Sequence, residues 1–162
     1  MTKTDKSPAL DATDRRILAA LRRNGRLTVA ELSQQVGLSQ SPCWTRLKRL
    51  EASGAIDGYV ALINPEAVGI DEIFFVEITL DHHDEAILER FGAALARMPE
   101  VLEAHLVTGD YDYLVKIAVA DRAHYERFLR QTLYRVAGIK HTRSTFALRA
   151  LKREVSVDPL LI

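Results

Sequence analysis

The apolar positions change period once along the chain, near residue 65. Before that point they recur at helical spacing. Ile17, Leu18 and Leu21 fall at i, i+1 and i+4 behind a cap at Asp11 or Thr13, and Asn24-Gly25 stops the run. Thr28 and Glu31 form a T-x-x-E capping box ahead of Leu32 and Val36, and Gly37 ends that short second helix. Ser39 or Ser41 caps a third helix running to about Ser53, with Pro42 accepted in the first turn because amides there have no intrahelical acceptor. On it Cys43, Leu47 and Leu50 share one apolar face, and Trp44 is expected to pack against the first helix or the segment that follows. Gly54, Ile56, Gly58 and Tyr59 predict a tight turn into a short strand, Tyr59 to Ile63, as in a winged variant. Asn64-Pro65 breaks that strand, and one helical turn at Glu66 to Val68 ends at Gly69.

Beyond residue 70 the alternation is that of strands. Ile73 to Leu80 is rich in aromatic and β-branched residues, and Asp84 starts a helix to about Arg97. Val101–Val107 and Tyr113–Val119 predict a hairpin around Thr108-Gly109-Asp110-Tyr111-Asp112. Asp121 caps a helix to about Tyr134, Gly138 breaks it, and Ile139 to Leu151 is a last, long strand. The order βαββαβ is that of a ferredoxin-like unit. The fold class is therefore α+β, with a winged helix-turn-helix over residues 1–60, a linker over 61–70 and a ferredoxin-like domain over 71–162. Both helices of such a unit cover one face of the sheet. Phe75, Val115 and Ile117 are expected on the other face, where a second copy would cover them.

Composition narrows the function. Hydrophobic residues make up 48% and charged residues 27% of 162 residues, the balance of a chain that buries a core. No stretch approaches the roughly 18 apolar residues of a membrane helix, and MTKTDKSPAL lacks the apolar core of a signal peptide, so a cytoplasmic protein with no membrane partner is expected. One cysteine excludes a disulfide scaffold or a zinc ribbon. The net charge of zero conceals a partition: residues 1–60 hold ten Lys/Arg against six Asp/Glu, and residues 61–162 hold twelve against sixteen. In the first part the charge gathers at Arg22, Arg23 and Arg26, then at Arg46, Lys48 and Arg49, which fits a polyanion or a solvated helix face.

Two helices joined by a short glycine turn, the second polar and basic, form a helix-turn-helix, which lays its second helix in the major groove of double-stranded DNA. Ser39, Gln40, Ser41 and Thr45 sit at its N-terminal end, where side chains reach base edges, while Arg46, Lys48 and Arg49 are placed to hold phosphates. The run from Leu38 to Glu51, with Gly54-Ala55-Ile56 and Gly58-Tyr59, resembles the recognition-helix signature of the Lrp/AsnC family of transcriptional regulators. Gly109-Asp110-Tyr111-Asp112-Tyr113-Leu114 resembles that family's effector loop, with Gly138-Ile139 and Thr142-Arg143-Ser144 at the expected distance. The resemblance spans about residues 10–155. It implies homodimers assembling to octamers or similar rings, and a small amino acid as effector.

The effector loop also has a chemical rationale. An amino acid needs acceptors for its ammonium and donors for its carboxylate. Asp110 and Asp112 can accept from the first, and backbone amides freed near Gly109 can donate to the second. Thr108, Tyr111, Arg143 and Ser144 are further candidates for the same site. Adjacent His82 and His83 diverge and lack cysteine partners, so no metal is expected, and Cys43 reads as a core filler. No Ser-His-Asp, Walker or G-x-G-x-x-G pattern occurs, so neither catalytic residues nor a cofactor is expected. The expected function is a sequence-specific DNA-binding regulator that responds to an amino acid; the alternative is a constitutive DNA-compacting protein whose second domain only oligomerises.

Overall fold

The computed structural model describes residues 9–161. Most of the N-terminal stretch read for a signal-peptide core, residues 1–8, lies outside the described residues. The chain divides into two compact units, one of residues up to Leu62 together with those from Lys152 on, the other Ile63–Leu151.

In the first unit three helices form where the caps predict them: α1 (Ala12–Arg23), α2 (Val29–Val36) and α3 (Gln40–Ala52). Asp11 caps α1, and Thr28 and Glu31 close the capping box of α2. Gly37, at φ 72°, ends α2 as only glycine does without strain. The Leu38 N–H then reaches the Ser33 carbonyl at 2.9 Å and the Gly37 N–H the Gln34 carbonyl at 3.4 Å, a Schellman closure that sets the turn into α3. Ile17, Leu32, Val36, Cys43 and Leu50 form the core beneath the three helices.

The sequence pattern departs from the structure at three places here. Tyr59 to Ile63 is not a strand, because an extended segment needs a ladder partner and none lies alongside it among the described residues; Val60 is 75% exposed. Trp44, expected to pack against α1 or the following segment, keeps 52% of its surface exposed. The residues from Lys152 on, expected with the ferredoxin-like domain, belong to the first unit. Arg22 holds them by an ion pair to Glu154 (2.5 Å) and a hydrogen bond to the Ser156 carbonyl (3.0 Å), and Arg15 donates to the Pro159 carbonyl (2.8 Å).

The second unit contains β1 (Glu72–Leu80), α4 (Glu85–Leu95), β2 (Val101–Leu106), β3 (Tyr113–Val119), α5 (Arg122–Gln131) and β4 (Ile139–Phe146). Asp84 and Asp121 cap the two helices. The sheet order is β2-β3-β1-β4 with every pair antiparallel, so each helix crosses over one intervening strand. Right-handed crossovers of this kind place both helices on the same face. Phe74, Val76, Ile78 and Leu80 of β1 and Tyr113, Val115, Ile117 and Val119 of β3 meet Phe91, Leu95, Tyr125 and Phe128 there.

Val115 and Ile117 therefore lie on the helix-covered face, not on the open one. Lys116 carries the sign of the open face, and Leu114 and Ala118 share its parity. Of the three residues expected on the open face only Phe75 is there, beside Ile73 and Glu77. The last strand stops at Phe146 and not at Leu151; the Ala147 N–H makes one more bond to β1, at the Ile73 carbonyl (2.9 Å), before the pairing ends. The fifth helix ends at Gln131, and Leu133–Arg135 continues as a 3-10 turn.

Candidate functional site

The outward face of α3 is set by its inward one. Cys43 and Leu50 are fully buried, so Ser41, Thr45 and Lys48, at i, i+4 and i+7, point away from the core. Ser39, Gln40, Ser41, Thr45, Lys48 and Arg49 are all exposed. Ser39 occupies the N-cap position without a side-chain bond to the helix, which leaves its hydroxyl available. The Thr45 hydroxyl donates back to the Ser41 carbonyl (3.1 Å). Lys48 pairs with Glu51 across one turn (2.8 Å), an exposed contact worth little and easily exchanged for a phosphate. Burial pushes the Cys43 thiol up, which keeps it protonated and inert in the core.

Arg46 and Arg49 have a second role that their spacing did not show. Asp14, 1% exposed at its side chain, accepts from Arg46 (2.8 Å) and from Arg49 (2.5 Å). Arg46 also meets Asp11 (2.5 Å), so two carboxylates at the start of α1 grip two guanidiniums of α3. A signal for this existed. Asp14 shares the i, i+3, i+7 stripe of Ile17 and Leu21, and an acid in a buried stripe requires a cation.

Asp11 is held at about 2, against 3.8 for an ordinary aspartate, first by the Asp14 N–H and then by Arg46. A carboxyl lowered on folding adds stability above its unfolded value, and that stability is lost as pH falls from about 4 through about 2. Between pH 5 and pH 2 the melting temperature of the wild type should fall more steeply than that of Asp11→Asn. Parallel curves would contradict the clamp.

The structure brings Thr108, Gly109, Asp110, Tyr111 and Asp112 into one loop between β2 and β3. Gly109 stands at φ 131°, a conformation L side chains rarely adopt, with open space where a Cβ would lie. The loop is pinned to the end of β1: the Asp112 N–H donates to the Ile78 carbonyl (2.9 Å), and the Asp112 carboxylate accepts from the Leu80 N–H (2.7 Å). Its other oxygen lies 3.1 Å from His83 Nε2, a contact that no local sequence signal announces across 29 positions. Asp110 is exposed, and among the described residues its carboxylate has no hydrogen-bond or ion-pair partner.

Arg143 and Ser144 do not share a face. Arg143 pairs with Glu77 on the open side of the sheet, whereas Ser144 pairs with Val76 and accepts from the Tyr125 hydroxyl (2.6 Å) on the helix side. An open cleft of about 410 Å³ lies in the first unit, bordered by Leu18, Leu21, Ile56, Tyr59, Val155 and Val157, and includes none of the predicted site residues.

Two stretches of the chain match known families. Residues 10–57 match the family described as winged helix-turn-helix DNA-binding, and residues 73–157 match the Lrp/AsnC ligand binding domain. The leucine-responsive regulatory protein of Haemophilus influenzae is 45% identical over 148 residues, covering 91% of this chain and 89% of that protein. Its counterpart in Escherichia coli strain K12 is 41% identical over 155 residues, 94% of each. A transcriptional regulator of Neisseria meningitidis, solved as an L-methionine complex, superposes with a TM-score of 0.87 at 38% identity, covering 92% of this chain and 96% of that one. The feast or famine regulatory protein of Mycobacterium tuberculosis, also solved with L-methionine, gives 0.83 at 36% identity, covering 93% and 100%. With a DNA-binding helix-turn-helix ahead of a ferredoxin-like ligand-binding domain, the chain belongs to the Lrp/AsnC family of transcriptional regulators.

Proposed function

We propose that a small amino acid binds at the loop 108–112 and thereby sets the assembly and DNA affinity of this regulator. The observation that carries the reading is the Asp110 carboxylate, exposed and without a partner beside Gly109 at φ 131°. Asp110 accepts the effector's ammonium, and loop amides around Gly109 donate to its carboxylate. Asp112 shapes the loop through Leu80, with Thr108 and Tyr111 lining it. Arg143 and Ser144 lie on opposite sides of β4, so at most one of them meets a ligand from its own chain; the other would serve a neighbouring copy. The Neisseria and Mycobacterium relatives solved with L-methionine support the chemical class of the ligand.

In the same reading the protein acts as a homodimer that assembles further to an octamer, in the cytoplasm where its DNA lies, and it carries no enzymatic activity. The open sheet face presents Ile73 and Phe75 of β1 beside Leu114 of β3, and both outer strands are largely exposed, surfaces that a second copy covers. Two recognition helices about 34 Å apart then enter successive major grooves of a palindrome. Light scattering of the full chain at micromolar concentration should give at least the mass of a dimer. A monomer mass would contradict the assembly.

The effector itself is found by thermal melting with each of the twenty amino acids. A ligand at a hundred times its dissociation constant raises stability by about 2.7 kcal/mol. At least one amino acid should raise the melting temperature, and no shift with any of them would overturn the reading.

A further inference from the structure

We propose that Trp44 reads sequence by laying its indole against the 5-methyl group of a thymine in the major groove. Trp44 is the only tryptophan in the chain, and it stands out on α3 with 52% of its surface exposed. It stacks on no aromatic ring among the described residues. Half of the indole is open to solvent although the neighbouring residue, Cys43, is completely buried.

Its position supplies one. Gln40, Trp44 and Lys48 follow each other at i, i+4 and i+8 along one ridge, and Thr45 lies beside them on the outward face. From Ser39 to Arg49 the helix carries no acidic residue, so nothing on this stretch repels a polyanion. A ridge of that make-up places a hydrogen-bonding amide, an apolar plate and a cation in series along the groove. Base edges in the major groove offer the matching chemistry: donors and acceptors for the amide, the thymine methyl as the apolar contact, and phosphate at the rim for the lysine. The indole can cover a methyl group and lose water from both surfaces, over a larger area than the single methyl of Thr45 offers.

The test uses the full-length protein, its Trp44→Ala and Trp44→Phe variants, and a duplex recovered by selection from a random library with the wild type. The same duplex is then synthesised with deoxyuridine in place of thymidine, which removes the methyl groups and leaves the pairing edges intact. Wild-type affinity should fall about four-fold for each contacted methyl, the effect of one methyl-sized group returned to water. Trp44→Ala should bind the two duplexes equally, and Trp44→Phe should keep part of the difference. Trp44 emission should change when the wild type is saturated with the thymine duplex, a readout that requires no variant to fold. The inference rests on DNA binding through α3, which wild-type affinity for the thymine duplex checks separately. Equal losses for wild type and Trp44→Ala on the uracil duplex, or unchanged emission at saturation, would overturn it.

Discussion

Asp14→Ala should lower the stability of the helical unit by about 2 kcal/mol, which for a unit of this size corresponds to a melting temperature lower by roughly 8 to 16 °C. The side chain is 1% exposed and carries the charge that Arg46 and Arg49 share, together with the Asp11 N–H at 3.2 Å. Hydrogen bonds to charged groups contribute about 1.5 to 3 kcal/mol each. Arg46 and Arg49 keep 30% and 53% of their side-chain surface in solvent and turn outward when the carboxylate is gone, so the sum is well below two full bonds. Removing the anion also frees α3 to tilt on α1, and DNA affinity should fall along with stability. Asp14→Asn keeps the size and one acceptor and should cost about half as much. Melting curves and fluorescence anisotropy with duplex DNA measure both effects. A variant that melts within 1 °C of the wild type, on the order of experimental error in such curves, would show that the clamp carries no weight. The same geometry changes what Arg46→Ala means. Part of any loss of DNA binding in that variant comes from the broken clamp, and Lys48→Ala is the cleaner probe of a phosphate contact, with a salt slope shallower by about 0.9.

The second large effect separates the two loop carboxylates. Asp110→Ala should weaken the effector about 10- to 100-fold, the range expected for one lost charge-assisted hydrogen bond, and should leave the melting temperature unchanged because its carboxylate has no hydrogen-bond or ion-pair partner among the described residues. Asp112→Ala should lower both. It strands the Leu80 N–H, a partly buried donor held at 2.7 Å, and leaves the loop tied to β1 by the Asp112 N–H alone. Asp112→Asn keeps that acceptor and should recover most of the stability. Calorimetric titration of the amino acid found by melting, run on all three variants, distinguishes these outcomes. Unchanged effector affinity in Asp110→Ala would make the loop a turn and nothing more.

Much of this molecule was legible before any coordinates. Caps mark the starts of α2, α4 and α5 to the residue and those of α1 and α3 to within two, because Asp11, Thr28, Asp84 and Asp121 satisfy orphan amides locally whereas Ser39 makes no side-chain cap bond. Strand parity was harder. Tyr113 to Val119 is apolar on both sides except for Lys116, so one residue decided which face meets the helices, and Val115 and Ile117 were placed on the wrong one. The short strand at Tyr59 to Ile63 has β-propensity but no partner in the chain, and propensity alone does not make a ladder. Of the candidate surfaces, α3 and the loop 108–112 are readable in the sequence because their residues are contiguous. The Asp14 clamp, the His83 contact and the Arg22 anchor of the C-terminal segment join positions far apart in sequence, where periodicity carries no information.

On the proposed function, an amino acid bound at residues 108–112 alters how the helix-turn-helix engages DNA. An effector shifts such an equilibrium only by its differential affinity for the two states. The most direct measurement is DNA affinity of the full-length wild type and of Asp110→Ala, by anisotropy with a selected duplex, in the presence of each of the twenty amino acids. At least one amino acid should change wild-type affinity, and the change should disappear in Asp110→Ala, whose affinity without effector stays within a few-fold of normal. A wild type indifferent to all twenty, or an Asp110→Ala variant that responds as the wild type does, would contradict it.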